Sequence, residues 1–443
     1  MTTPIPSEAT PSHTPSPASV PTGATADLLR FTTAGSVDDG KSTLIGRLLY
    51  DAKSVLIDQW EAMERTSLRK GLSHVDLSLL TDGLKDEREQ GITIDVAYRY
   101  FSTPKRTFII ADTPGHVQYT RNMVTGASTA DVALVLVDAR NGVVEQTRRH
   151  LFLAGLLGLP TAVLCINKMD LVEWSESVYT AICADAERVA REAGVRSVHF
   201  LPLSALLGDN VVDASTHMPW YTGAPLLSTL ESLEVPRPEN DGPFRMAVQT
   251  VLRPHTTEHH DFRGYAGRIA SGSVSVGDPI TAYPGGLTSR VSALWLGNKP
   301  LTGAKRGQSV SIELEDDLDV ARGSLLAHTN APQPVVAQNL EATLCWLDRS
   351  PQVPGAKYAV RCATAEVRGL IDSVDGILDL HTLAYAPSAT PLRPNDLGRI
   401  RLRLAKPLAF DPYVHNRVTG AFILVDEASG ATVAAGMISN QNS

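Results

Sequence analysis

Gly35-Ser36-Val37-Asp38-Asp39-Gly40-Lys41-Ser42 ends one apolar, β-rich run and opens a segment of helical period, with the spacing of a loop that wraps phosphate. Glycines let the backbone curl round an anion, while N–H groups and the helix N-terminus supply positive potential. Lys41 would reach the β- and γ-phosphates of a nucleotide, and Ser42 would ligate Mg2+. Asp112-Thr113-Pro114-Gly115 ends the next such run, where a carboxylate suits a water ligand of the same ion and Gly115 offers an N–H to the γ-phosphate. Asn167-Lys168-Met169-Asp170 then selects the base. Asp170 can accept from N1–H and the exocyclic amine of guanine, which adenine does not offer at those positions, and the Lys168 stem can lie along the ring. Ser204-Ala205, after the last run, would add backbone donors to the guanine carbonyl oxygen. In this order the motifs describe a GTP-binding domain with GTP and Mg2+ as its ligands.

The elements that must hold these residues are legible around them. The runs LLRFTTAG, TFIIAD, DVALVLVD, TAVLCIN and VHFLPLS alternate with helical patterns, as in an α/β P-loop domain with a mainly parallel sheet. Lys41 to Tyr50 places Leu44, Ile45, Leu48 and Leu49 on one helix face. Ligands of such sheets bind beyond the carboxyl ends of the strands, where the polar motifs fall. Residues 1–26, rich in Pro, Ser, Thr and Ala, read as a disordered tail. Residues 27–236 read as the GTP-binding domain, with the segment Val235 to Pro243 as a linker. Beyond it, alternating runs punctuated by Gly and Asp predict two small antiparallel β-barrels, 237–332 and 333–443, divided at a Pro-rich break over Asn330 to Val335.

The 443 residues allow roughly three domains at about 150 residues each. A formal charge of -8 argues against bulk attraction to nucleic acid or an anionic membrane, so neither partner is expected. The longest apolar stretch, Leu151 to Ile166, is too short for a bilayer and is broken by Gly155, Gly158 and Pro160. Cys165, Cys183, Cys345 and Cys362 form no CxxC pair and read as reduced thiols of a cytoplasmic protein.

Three further features narrow the class: EREQGITID from Glu87 to Asp95, which contains Thr93; His116 directly after DTPG; and DARNGVVEQTRRH from Asp138 to His150. This combination resembles the translation-factor superfamily of GTPases. The resemblance implies that Thr93 is the switch threonine closing over Mg2+ and the γ-phosphate, and that His116 positions the attacking water. It also implies that Val37 and Ile92 form an apolar gate in front of that histidine, with ordinary packing as their alternative role. Within the superfamily, GSVDDGKSTLIGRLLYD, LLTDGLKDEREQGITIDVAYRYFS, DFRGYAGRIASG and LAFDPYVHNRVTGAFILVD resemble the large GTP-binding subunits of bacterial sulfate adenylyltransferase, also called ATP sulfurylase. Paired Asp38-Asp39 and the AYRYF segment are more specific to this family than the generic GTPase motifs.

That resemblance implies a small catalytic subunit as partner, forming adenosine 5'-phosphosulfate and pyrophosphate from ATP and sulfate, with GTP hydrolysis driving the unfavourable step. The sequence carries no SGGxDS-type loop and no HxGH adenylylation motif of its own, and no second P-loop that a kinase domain would need, so kinase activity is not expected. The rival class is an elongation-factor-type GTPase whose barrels grip aminoacyl-tRNA, against which the DVAYRYFS and FDPYVHNRVTGAFILVD segments argue. His255, His259, His260 and Asp261 have a ligand-like interval but no helix to place them, and Glu313 to Asp319 lacks the glycine of a calcium loop. Neither is assigned a function.

Overall fold

A computed structural model describes residues 27–53, 57–69, 75–80, 95–115, 120–234, 242–253, 262–379, 382–388 and 390–439. The N-terminal tail, most of the Val235 to Pro243 linker and the His255 to Asp261 cluster lie outside them.

The first unit contains β1 (Asp27–Ala34), α1 (Lys41–Asp51), α2 (Ile57–Arg69), β2 (Ala97–Ser102), β3 (Arg106–Asp112), α3 (Thr120–Ser128) and β4 (Val132–Asp138). It continues with α4 (Glu145–Leu156), β5 (Thr161–Asn167), α5 (Glu176–Glu192), β6 (Ser197–Pro202) and α6 (Leu226–Ser232). The sheet runs β2-β3-β1-β4-β5-β6, parallel throughout except for β2, which is antiparallel to β3. Burial on both faces explains the unbroken apolar runs. Along β4, Ala133, Val135 and Val137 join the core under α4 and α5, whereas Val132, Leu134 and Leu136 join the core under α1 and α6. Leu44, Ile45 and Leu48 of α1 are fully buried in the latter, as the predicted helix face requires. β2 is a strand outside the five predicted runs: Tyr98 and Tyr100 of this edge strand are exposed and interleaved with Arg99, so no apolar run marks it.

The second unit holds β7 (Arg245–Leu252), β8 (Gly264–Ser271), β9 (Ser273–Ser275), β10 (Pro279–Tyr283), β11 (Leu287–Leu296), β12 (Lys299–Leu301), β13 (Gly303–Lys305), β14 (Ser309–Leu314) and β15 (Leu325–His328). Strands β10-β15-β7-β8-β14-β11 close into an antiparallel ring through the β10–β11 pair. The third holds β16 (Val335–Trp346), β17 (Lys357–Cys362), β18 (Ala365–Asp379), β19 (Ala384–Ala386), β20 (Leu397–Phe410), α7 (Arg417–Gly420), β21 (Ala421–Asp426) and β22 (Thr432–Ile438). Here β17-β21-β22-β16-β20-β18 closes through β17–β18. The chain is therefore a P-loop α/β domain followed by two antiparallel β-barrels, with no edge left open in either ring.

The three units are welded at defined places. Cys345, Leu378, Leu397 and Met437 of the last barrel belong to the same core cluster as α4 and α5. Arg245, 1% exposed, opens the first barrel and meets Asp411 of the second through Nε at 3.0 Å and Nη2 at 2.9 Å. The Tyr413 hydroxyl donates to the Leu157 carbonyl at 3.0 Å, and the Arg417 guanidinium donates to the Gly158 carbonyl, just beyond the end of α4. All four thiols are free, and burial pushes Cys345 and Cys362 up to about 12. No helix among the described residues is long and apolar enough to cross a membrane.

Candidate nucleotide site

Parallel register brings the polar strand ends to one edge. Thr33 pairs with Asp112 across β1 and β3, and Asp138 with Asn167 across β4 and β5. The Thr33 hydroxyl donates to Asp112 Oδ1 at 3.0 Å, which orients that carboxylate, itself 1% exposed.

The loop between β1 and α1 needs left-handed backbone at Asp38 (φ 68°) and Gly40 (φ 92°). A Cβ on Gly40 would also stand 2.5 Å from Asn167 Nδ2, so only glycine lets the loop lie against β5. The two aspartates differ in role. Asp39 turns inward, its Oδ2 accepting from the Ser36 N–H at 2.6 Å, and burial pushes its carboxyl up against the opposing pull of that hydrogen bond and of Lys41. Lys41 is buried, donates to the Gly35 and Ser36 carbonyls at 2.8 and 2.9 Å, and is pushed down by burial while Asp112 and Asp39 oppose the shift. Gly115 lies against this loop: a Cβ there would be 2.3 Å from Lys41 Nζ and 2.4 Å from the Gly35 carbonyl oxygen.

Asn167 is a strut between the two halves of the site. Its Nδ2 donates to the Asp39 carbonyl at 2.7 Å and its Oδ1 accepts from the Ala205 N–H at 2.9 Å. Lys168 adopts left-handed backbone (φ 62°), and its amine bonds Asp138 Oδ2 at 2.9 Å and the Asp38 carbonyl. Asp170, half-buried, follows in the tight turn Met169–Val172. The turn after β6 is tied in as well: the Ser204 N–H donates to the Asp209 carbonyl at 3.1 Å and the Ala205 N–H to Asn167. Two backbone donors in a buried turn are satisfied within the protein, as buried N–H groups must be.

Two contributors were missed by sequence reasoning. Asp138 ends β4 level with Asn167; burial raises its carboxyl, but hydrogen bonds from Arg140 and Lys168 outweigh this and hold it down to about 2. Its signal was available, since it ends an apolar run beside a motif. Arg47, well inside α1, donates from Nη2 to the Leu206 carbonyl at 2.6 Å and fixes the loop after β6, and nothing local marks it. Thr93, Ile92 and His116 lie outside the described residues, and Val37 is 38% exposed at the loop tip.

The residues present suit a nucleotide and a hard cation. Ser36 Oγ is buried with no hydrogen-bond partner, and Lys41 places a cation beside it, which fits phosphate oxygens. The Ser42 hydroxyl and the Asp112 carboxylate are the oxygen donors that Mg2+ prefers.

Residues 26–237 match the family model of the elongation factor Tu GTP binding domain, and residues 339–439 match that of the GTP-eEF1A C-terminal domain-like family. The bifunctional enzyme CysN/CysC of Mycobacterium tuberculosis is 52% identical over 93% of this chain and 67% of that protein. Sulfate adenylyltransferase subunit 1 of Aeromonas hydrophila is 49% identical over 93% of this chain and 86% of its own length, and the protein of the same name from Bacteroides thetaiotaomicron shows the same figures. With the polar strand-end motifs gathered on one sheet edge, and this identity across all three units, the chain belongs to the sulfate adenylyltransferase subunit 1 family, within the translation-factor superfamily of GTPases.

Proposed function

We propose that this chain is the energy-coupling subunit of a sulfate adenylyltransferase, hydrolysing GTP while a small catalytic subunit makes adenosine 5'-phosphosulfate and pyrophosphate from ATP and sulfate. The observation that carries the reading is the Asn167 strut, which joins the phosphate loop to the base-reading end of the site in a chain of this family. In this reading Gly35 to Lys41 wrap the phosphates, with Lys41 on the β- and γ-groups, and Asp170 and the Lys168 stem read guanine. Ser42, Asp112 and Thr93 would hold Mg2+, which would supply positive charge against the developing negative charge of phosphoryl transfer. Gly115 senses the γ-phosphate, His116 orients the attacking water, and Val37 with Ile92 restrains its approach. Ser204 and Ala205 offer backbone donors to the guanine carbonyl oxygen, in a turn held by Asp209 and Asn167. The working boundaries of the three domains are residues 236 and 332, and the cytoplasm is the proposed compartment.

Cleavage of GTP is strongly downhill, so coupling needs only that hydrolysis and adenylyl transfer be gated by each other. The purified chain given ATP and sulfate is expected to form no adenosine 5'-phosphosulfate, and adding the small subunit to bring both synthesis and faster GTP hydrolysis. Synthesis by the chain alone would overturn the division of labour. Capture of aminoacyl-tRNA in place of the small subunit would favour the elongation-factor reading.

A further inference from the structure

Helix α4 begins without a side-chain cap, since Val144 occupies the N-cap position. Gln146, in its first turn, spends its side chain elsewhere: Nε2 donates to the carbonyl of Gly115 at 3.1 Å, across 31 residues of sequence. The direction of the amide is set by chemistry, because a carbonyl oxygen only accepts and so must face the NH2 end. The other end, Oε1, is buried and has no hydrogen-bond partner. Leaving a buried acceptor unpaired carries a free-energy cost, so the side chain is held for its contact with Gly115 and not for its own solvation.

Gly115 has little room to respond in any other way. A Cβ on Gly115 would stand 2.3 Å from Lys41 Nζ and 2.4 Å from the Gly35 oxygen, so the residue lies close on the phosphate loop, and its carbonyl is the group that leads covalently into the next residue of the chain. The rotation about the Gly115 Cα–C bond sets the direction in which the chain continues. A donor on that carbonyl fixes the rotation.

The rest of α4 supplies the rigidity. Twelve residues span roughly 18 Å. Phe152 meets Tyr385 of the last barrel edge to face at 6.4 Å, and the carbonyls of Leu157 and Gly158 are taken by Tyr413 and Arg417. One turn on from Gln146, His150 is buried, and burial with the nearby Lys41 and Arg149 pushes it down to about 3. The helix face behind the sensor thus carries a neutral imidazole.

We propose that Gln146 is a positioning residue for GTP hydrolysis: it fixes the Gly115 carbonyl, and so the γ-phosphate sensor, relative to a helix clamped by the C-terminal barrel. The proposal rests on the GTPase reading given above. It makes no direct contact with nucleotide necessary, and it gives movement of the last barrel a route to the sensor.

The test uses the full chain with its small subunit, measuring the GTP dissociation constant and kcat separately for wild type, Gln146→Ala and Gln146→Glu. Alanine removes the donor. It should lower kcat about tenfold, the usual weight of one such bond, and leave the dissociation constant within about twofold. The introduced carboxyl accepts but does not donate when ionised, and donates when protonated. Gln146→Glu, whose carboxyl is ionised across the neutral range because glutamate ordinarily titrates at about 4.3, should therefore lose the donor as alanine does and be impaired at least as much, again with the dissociation constant within about twofold. An unchanged kcat in both variants overturns the proposal. So does a loss of GTP affinity that accounts for the whole loss of rate, because Gln146 would then serve the binding site and not the sensor. If wild type itself is not stimulated by the small subunit, the coupling reading fails separately, and the same comparison is made on the intrinsic hydrolysis of the chain.

Discussion

Asp170→Asn should invert base preference and not merely weaken binding. An aspartate facing guanine accepts from N1–H and the 2-amino group, and the amide replaces one acceptor by a donor that meets the amine badly. Xanthine carries a carbonyl at that position, so the new N–H pairs with it while the amide oxygen still takes N1–H. At about 1–3 kcal/mol per mismatched bond, GTP affinity should fall roughly tenfold to a hundredfold while xanthosine triphosphate gains. The slot is preset for this swap because the Lys168 amine is tied to Asp138 and the Asp38 carbonyl, and Asn167 is tied to both neighbouring loops. Competition binding of GTP, xanthosine triphosphate and ATP to both proteins decides the matter. A mutant that keeps the wild-type order removes Asp170 from base reading.

Asp411→Ala should cost about 3–5 kcal/mol of stability, because it strands the Arg245 guanidinium in the interior. Arg245 is 1% exposed, and among the described residues its hydrogen-bond partners besides Asp411 are the carbonyls of Phe244 and Pro332. Asp411 also accepts from the Thr419 hydroxyl at 2.7 Å, so the change loosens the segment carrying Tyr413 and Arg417. The unfolding midpoint in urea should drop accordingly. Replacing both Arg245 and Asp411 by apolar residues of similar volume should restore much of it, since the cost lies in the unpaired charge. A single-mutant loss below about 1 kcal/mol would show that the pair is not what joins the barrels.

Residues whose partners are near in sequence, or whose pattern repeats, were legible from the chain alone. Strands β4 and β5 announced themselves because both faces are buried, and the ends of β1, β3 and β5 carried motifs whose chemistry does not depend on distant contacts. The barrels were legible as texture, though their closure through β10–β11 and β17–β18 was not. Strand β2 escaped because an edge strand with exposed Tyr98 and Tyr100 has no apolar signature. Gln146, Arg47 and the Arg245–Asp411 pair escaped because their partners lie 31, 159 and 166 residues away. The hydrogen bonds of Ser204 and Ala205 escaped for a related reason: a backbone N–H has no visible partner until the fold brings Asn167 and Asp209 to it.

The coupling claim is tested most directly by the amount of adenosine 5'-phosphosulfate that accumulates when this chain and the small subunit are incubated with ATP and sulfate. Three conditions are compared: no guanine nucleotide, GTP, and a non-hydrolysable GTP analogue. With GTP, product should rise beyond the level reached without it and stop rising when GTP is exhausted. The analogue should leave that level unchanged, even if it alters the rate of approach. An equal final level in all three conditions would contradict the account, because GTP hydrolysis would then add no driving force to adenylyl transfer.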